Sequence, residues 1–255
     1  MIWIIILLFS FLFYGILLEP HFMRVREVKI SDRKGLKVAH FTDTHFNWHT
    51  RPYRFYKFSK HIKQNQPDLI LFTGDLFDKV SWAQKHERSK VKEILADLDA
   101  PLGKFAILGN HDFSEEGHPN YIRSFLEESG FTVLTNQSVR AGDVSLTGLA
   151  DLREGQPNFG MLPEQAEFSL LMIHEPDTIL QVEHPEQYDL VVAGHSHGGQ
   201  IRLGNFRLRN DGSKAYDSGL YDLGGNTKLF VNAGIGLTFL PIRFGVPPEI
   251  VYYEI

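Results

Sequence analysis

Apolar positions along this chain follow three rhythms, and each predicts a different element. The first is an uninterrupted run from Ile2 to Leu18, IWIIILLFSFLFYGILL, closed by Glu19 and Pro20. As a helix it would be about 25 Å long, the short end of what crosses a bilayer, and it lacks the polar face of a soluble core helix. The second rhythm is short: LKVAHF, DLILF, KFAIL, SLLMI and DLVVA read as strands buried on both faces. The third recurs at helical spacing. Phe55, Phe58 and Ile62 form one such stripe before Pro67, and Val91, Ile94, Leu95 and Leu98 form another before Pro101. Ile122, Phe125 and Leu126 form a third, closed by Gly130. Strand and helix alternate through the first half, which predicts βαβ units. Beyond His197 the pattern turns to short strands and glycine turns. There YDLGGNTKLFVN and the alternating end EIVYYEI predict a hairpin-rich second sheet.

Each of the five short runs gives way to a polar cluster: TDTH (42–45), TGDLFD (73–78), GNHD (109–112), MIHEPD (172–177) and AGHSHGGQ (193–200). Strand ends are where open α/β sheets bind their substrates. Asp43/His45 and His195/His197 are spaced i, i+2, so an extended backbone would turn both members of each pair to one face. Taken singly these motifs are weak, since Gly-Asp is usually a turn and Gly-Asn-His a loop. The ordered set describes a site for two divalent metals. The chain has no cysteine, so thiolate clusters and zinc-finger sites are excluded, and the imidazole, carboxylate and amide donors suit Zn, Mn or Fe. Two dications held by Asp43, Asp75, neutral Asn110 and neutral imidazoles keep about two positive charges uncompensated, which favours an anionic substrate such as a phosphate ester.

In this order the motifs D-x-H, G-D-x-x-D, G-N-H-[DE], H and G-H-x-H resemble the calcineurin-like metallophosphoesterases, from about residue 36 to 255. The tail, GHSHGGQI followed by FVNAGIGLTFLPIRFGVPPEI, is similar to that of small bacterial membrane-associated or exported members. The resemblance implies an α/β fold, a layered α/β/β/α sandwich of two mixed sheets flanked by helices. It implies Asp43, His45 and His197 as ligands of one metal, Asn110, His174 and His195 as ligands of the other, and Asp75 as the bridge. His111 would protonate the leaving oxygen, with Asp112 holding the imidazole charged and oriented. The implied reaction is in-line hydrolysis of a phosphomonoester or phosphodiester by metal-activated hydroxide. Relatives commonly carry Gly where this chain has Asn47, so the loop after His45 is expected to differ.

Other residues have plainer roles. His40, inside the first strand, is expected to be a hydrogen-bonded interior residue. Asp78 is expected to fix a loop or a ligand, and Asp151 to border the site. His49 and Arg51, with Trp48 and Arg54, follow the first ligand pair and are candidates for substrate contact; His118, Arg202, Arg207 and Arg209 are placed similarly near other ligand loops.

Residues 1–24 are expected to form a membrane anchor and linker, and 25–255 one domain. No Lys or Arg precedes the apolar run and no A-x-A pattern follows it, which favours an uncleaved anchor over a signal peptide. Arg24, Arg26, Lys29, Arg33, Lys34 and Lys37 follow it, so the positive-inside rule puts the catalytic domain in the cytoplasm, whereas the exported relatives point outside. The net charge of −5 with intermixed signs gives no basic stripe, which disfavours general nucleic-acid binding. A tethered site suits a lipid-linked phosphate, and a nucleotide-type ester fits the same charge balance. Two alternatives differ in class. An inactive, membrane-tethered binding module would lack a ligand or His111, and none is lost. A single-zinc amide or lactone hydrolase would have no need of Asp75 as a bridge or of Asn110.

Overall fold

The structure, a computed structural model, describes residues 2–31, 35–113 and 119–255. Arg33, Lys34 and His118 lie outside the described residues. Helix α1 (Ile2–Phe13) continues through a π-helical turn, Tyr14–Leu18, and a 3-10 turn, Glu19–His21, into strand β1 (Arg24–Lys29). Strands β2 (Lys37–Phe41), β3 (Leu69–Phe72), β4 (Lys104–Ala106) and β5 (Thr132–Val133) follow, with α2 (Pro52–Asn65), α3 (Val80–Lys85), α4 (Arg88–Ala96) and α5 (Pro119–Glu127) between them. The second half supplies β6 (Gln137–Ala141), β7 (Val144–Gly148), β8 (Phe168–Met172), β9 (Leu190–Ala193) and the small hairpin β10 (Arg202–Leu203) and β11 (Phe206–Arg207). Strands β12 (Gly219–Asp222), β13 (Lys228–Val231) and β14 (Glu249–Glu254) complete it.

Two mixed six-stranded sheets result, ordered β1-β14-β2-β3-β4-β5 and β12-β13-β9-β8-β7-β6. The two-residue period of a strand sorts the apolar runs into layers. In β3, Leu69 and Leu71 pack between the sheets with Leu170, Met172 and Val192, while Ile70 and Phe72 face a core shared with Phe55, Phe58, Val91, Leu95 and Phe125 of the helices. The helical stripes expected from spacing thus cover the outer face of the first sheet. Over the second sheet, Leu171, Val191 and Leu229 are covered by Ile179, Val182 and Tyr188, from 3-10 turns that start at Pro176 and Pro185 and their flanks.

YDLGGNTKLFVN forms the expected hairpin, β12–β13. EIVYYEI does not join that sheet. It becomes β14, inserted between β1 and β2 of the first sheet, parallel to one and antiparallel to the other. Its alternation separates two cores, with Ile250 and Tyr252 on the helix side and Val251 and Tyr253 between the sheets. His40 is wholly buried, as expected; its Nδ1 is 2.9 Å from Tyr253 Oη and its Nε2 2.9 Å from Thr73 Oγ1. Burial pushes this imidazole down to about 3.

Candidate metal centre

All five motif loops leave the C-terminal ends of parallel strands: β2, β3 and β4 in one sheet, β8 and β9 in the other. The sandwich therefore brings residues from 43 to 197 to one end of the molecule. Extended backbone, expected from the i, i+2 spacing, is not what presents them. Asp43, His45, Asp75, His195 and His197 have φ of 50°, 40°, 60°, 66° and 49°, left-handed conformations that cost a non-glycine residue about 1 kcal/mol or more. Such strain at five candidate ligands marks a site whose surroundings impose it. Gly109 is required by contact: a Cβ there would strike the Asp75 carboxylate and the His174 ring.

Among the described residues, Asp43 with His45 and His197 forms one triad of donors and Asp75 with His174 and His195 another, each with its ligating atoms within 4.8 Å of one another, and a third group, His45 with Asp75 and His111, overlaps both. Asp75 joins them. Its Oδ1 accepts the His111 backbone N–H at 2.9 Å, while its Oδ2 lies 3.2 Å from His45 Nε2 and 3.3 Å from His174 Nε2. His45 Nε2 is also 3.1 Å from His197 Nε2. Carbonyls fix two of the rings. His174 Nδ1 donates to Thr73 O at 2.7 Å and His195 Nε2 to Asp211 O at 2.8 Å, which leaves the opposite nitrogen of each ring as a lone-pair donor.

This arrangement fits a pair of cations. Asn110 Oδ1 is buried with no hydrogen-bond partner among the described residues, which is costly unless something else completes it. Burial alone would keep His45 and His174 neutral, yet Asp43 and Asp75 hold both imidazoles well above their ordinary value. Protons there supply the positive charge that bound metal would bring. Burial keeps His197 neutral, and the Arg243 guanidinium, 3.5 Å from its Nδ1, acts in the same direction.

His111 lines the cleft, a cavity of about 440 Å³ bounded also by Asp75, Asp78, Asn110, Arg153 and Phe239. Asp112 does not orient it. Asn110–Phe113 is a 3-10 turn, in which successive side chains diverge, so Asp112 turns inward and accepts the backbone N–H groups of Asp75, Leu76 and Gly109. It ties two ligand loops together, and burial beside Asp75 pushes its carboxyl up to about 7. Among the described residues, Asp78 pairs with the His111 ring, 3.6 Å from Nδ1, and also sits 3.7 Å from His45 Nδ1, while the Asp75 carboxylate lies within 4.8 Å of the same ring.

The candidate substrate contacts fall elsewhere. His49 is held in a turn by Asn47 and Thr50, and Arg51 makes a two-pronged ion pair with Glu87; neither is among the residues bounding the cleft. Arg202, Arg207 and Arg209 converge on Asp217. Arg153, not singled out from the sequence, is the arginine at the cleft. Asp151 presents it, accepting the N–H groups of Arg153 and Glu154 through one carboxylate oxygen, an Asx turn whose only sequence signal is an Asp at a strand end.

The sequence profile of the calcineurin-like phosphoesterases matches residues 36–199. The chain belongs to this family. It is a phosphoester hydrolase, of a family that uses divalent metals, and the likeness read from the motif order is borne out. The metallophosphoesterase YkuE of Bacillus subtilis is 34% identical over 259 residues, 95% of this chain and 88% of that protein. The metallophosphoesterase Cj0846 of Campylobacter jejuni is 30% identical over 90% of this chain, which spans only 63% of its length. The UDP-2,3-diacylglucosamine pyrophosphatase LpxG of Chlamydia muridarum is 28% identical over 91% of this chain and 89% of that protein.

Within this phosphoesterase, two residues from the family-like tail, not singled out from the sequence, support the loops that carry the candidate ligands. Arg243 is fully buried and donates to the carbonyls of Ala233, Gly234, Gly236 and Val246 beside His197. Gln200, last of AGHSHGGQ, donates to the carbonyls of Thr238 and Leu240 and accepts from Thr238 N.

Proposed function

We propose that the chain hydrolyses a phosphoester with two divalent metals, one held by Asp43, His45 and His197, the other by Asn110, His174 and His195, with Asp75 shared. The observation that carries this is the single Asp75 oxygen lying between ring nitrogens of the two triads. When bound, such ions activate the attacking water and stabilise charge on the oxygens of an in-line displacement. The chain's own groups do the rest. His111, facing Asp78, gives its proton to the departing oxygen, and Arg153 binds phosphate oxygens across the cleft. Mn, Fe and Zn all suit these donors.

A lipid-linked phosphate or pyrophosphate is the substrate class we favour. A second cavity of about 270 Å³, bounded by Ile201, Leu208, Phe239 and Leu240, adjoins the cleft and shares His197 with it, a place for an apolar tail beside the reacting phosphate. The relative LpxG is named for a diacylated substrate. The segment Ile2–His21 is long and apolar enough to cross a membrane and is mostly exposed, which fits an uncleaved anchor. Arg24 and Arg26 directly after it favour a cytoplasmic catalytic domain. Metal analysis of the purified full chain, followed by assays on mono- and diesters of phosphate and on acylated sugar phosphates in mixed micelles, tests the proposal. Two metals and phosphoester turnover are expected. One metal with turnover of amides or lactones alone would overturn it, and a reporter active only outside, fused at Ile255, would overturn the side.

A further inference from the structure

We propose that the lip of the cleft is a bilayer-docking surface: Phe239, Leu240, Leu208 and the β10–β11 hairpin enter the lipid interface beside the N-terminal helix, so the metal cleft opens at the level of the headgroup phosphates. It rests on the anchor and the hydrolase proposed above.

The helix is clamped to the domain at one place. The Phe11 ring lies 4.5 Å and the Tyr14 ring 5.5 Å from that of Phe244. Gly15 O accepts Arg243 N–H at 2.9 Å, and a Cβ on Gly15 would come within 2.8 Å of Ile242 Cγ2, so glycine permits the contact. The buried Glu19 carboxylate accepts the N–H groups of Gly245 and Val246 at 2.8 and 2.5 Å. Arg54 and Lys57 of α2 hold His21 just beyond. A helix fixed at so many points sets the domain's orientation.

Depth follows from the clamp. Phe11 to Leu18 spans about 10 Å of helix, so lipid that covers these apolar turns also reaches Phe244 and its neighbours to interfacial depth. Those neighbours are the lip. Ile201 bridges Phe244, and Arg202 N–H donates to Phe244 O, which places the β10–β11 hairpin, with exposed Leu203 and Phe206, against the same loop. Phe239 precedes Phe244 by one short turn. It is 96% exposed with φ of 45°, and Gln200 pins the residues on either side of it. A bulky residue held in a strained conformation with its ring in water lacks compensation among the described residues, and lipid would supply it. Arg202, Arg207 and Arg209 gather around the single carboxylate of Asp217, an excess of positive charge suited to anionic headgroups.

Because the chain has no cysteine, single labels can be read in the full-length protein. Phe239→Cys, Phe206→Cys and, as reference, Leu180→Cys on the outer side of the second sheet would each carry a nitroxide in vesicles of phosphatidylcholine and phosphatidylglycerol. The ratio of oxygen to nickel-chelate collision rates should be several-fold higher at 239 and 206 than at 180. Ratios at 239 and 206 equal to that at 180 would overturn the proposal, with metal content confirming that each variant is folded. Hydrolysis does not enter this readout: a water-facing lip on an active phosphoesterase sinks the docking surface alone, and a lipid-facing lip on a chain without phosphoesterase turnover sinks the function alone.

Discussion

The floor and the lip of the cleft are built on opposite terms. At the floor, Asp43, His45, Asp75, His174 and His197 are almost wholly buried, and carbonyls, an arginine and backbone N–H groups set their orientation. At the lip, Arg153, Phe239 and Leu240 are exposed, carried on loops rather than strand ends. A buried, pre-oriented floor stabilises a transition state that is the same for every phosphoester, whereas an exposed lip decides which ester arrives. Changes at the floor should therefore remove turnover with any substrate, and changes at the lip should alter the preference between substrates.

The largest effect is expected at the shared carboxylate. Asp75→Asn removes the charge between the triads and should lower turnover roughly a thousandfold or more on soluble and lipid esters alike, in line with several kcal/mol of transition-state stabilisation by the ions. Metal content measured on the same sample should fall with it; full occupancy with wild-type rates would break the two-triad picture. His111→Ala should keep both metals and lose about 10²- to 10⁴-fold in kcat, most with poor leaving groups and least with 4-nitrophenyl esters. Equal losses on both ester types would remove His111 as the proton donor.

Much of the floor's convergence was legible because its candidate ligands are local: each follows an apolar run whose two faces are both buried, and a run such as SLLMI followed by His174 carries that information in seven residues or fewer. What escaped depends on distant parts of the chain. The turn that points Asp112 inward, and the insertion of β14 between β1 and β2, leave no periodic trace. Arg243 lies in the family-like tail, but nothing in that tail shows that it reaches His197 across 46 positions. Its fork satisfies four buried carbonyls, so Arg243→Met should cost roughly 3 kcal/mol in denaturant unfolding and loosen the metal at His197, and Arg243→Lys less. Unchanged metal affinity in the methionine variant would reduce Arg243 to packing.

Behind the floor, His40 adds a pH dependence. Its folded value is about 3, against about 6.5 in the unfolded chain, so between these the unfolded state binds one proton more and stability falls as pH drops from 6.5 towards 3. At pH 5 the loss from this residue is about 2 kcal/mol. In His40→Gln, which keeps hydrogen-bonding groups near Tyr253 and Thr73, the unfolding free energies from urea titrations at pH 5 and pH 8 should differ by that much less than in the parent. An identical pH slope would mean that other buried histidines dominate.

The smallest effect, and the one that separates lip from floor most sharply, is expected from Phe239→Ser. Phe239 bounds both the cleft and the adjoining cavity, but its side chain is almost wholly in solvent, so kcat on a soluble phosphoester that lacks an acyl tail should stay near the parent value. If the ring places the cleft at the membrane, the apparent KM for the same headgroup on a vesicle-borne lipid should rise about tenfold, the equivalent of losing one partly buried aromatic from the interface. A parallel rise on the soluble ester would mean that Phe239 holds the substrate itself rather than the surface that delivers it, and the boundary between floor and lip would then lie further out than the burial pattern draws it.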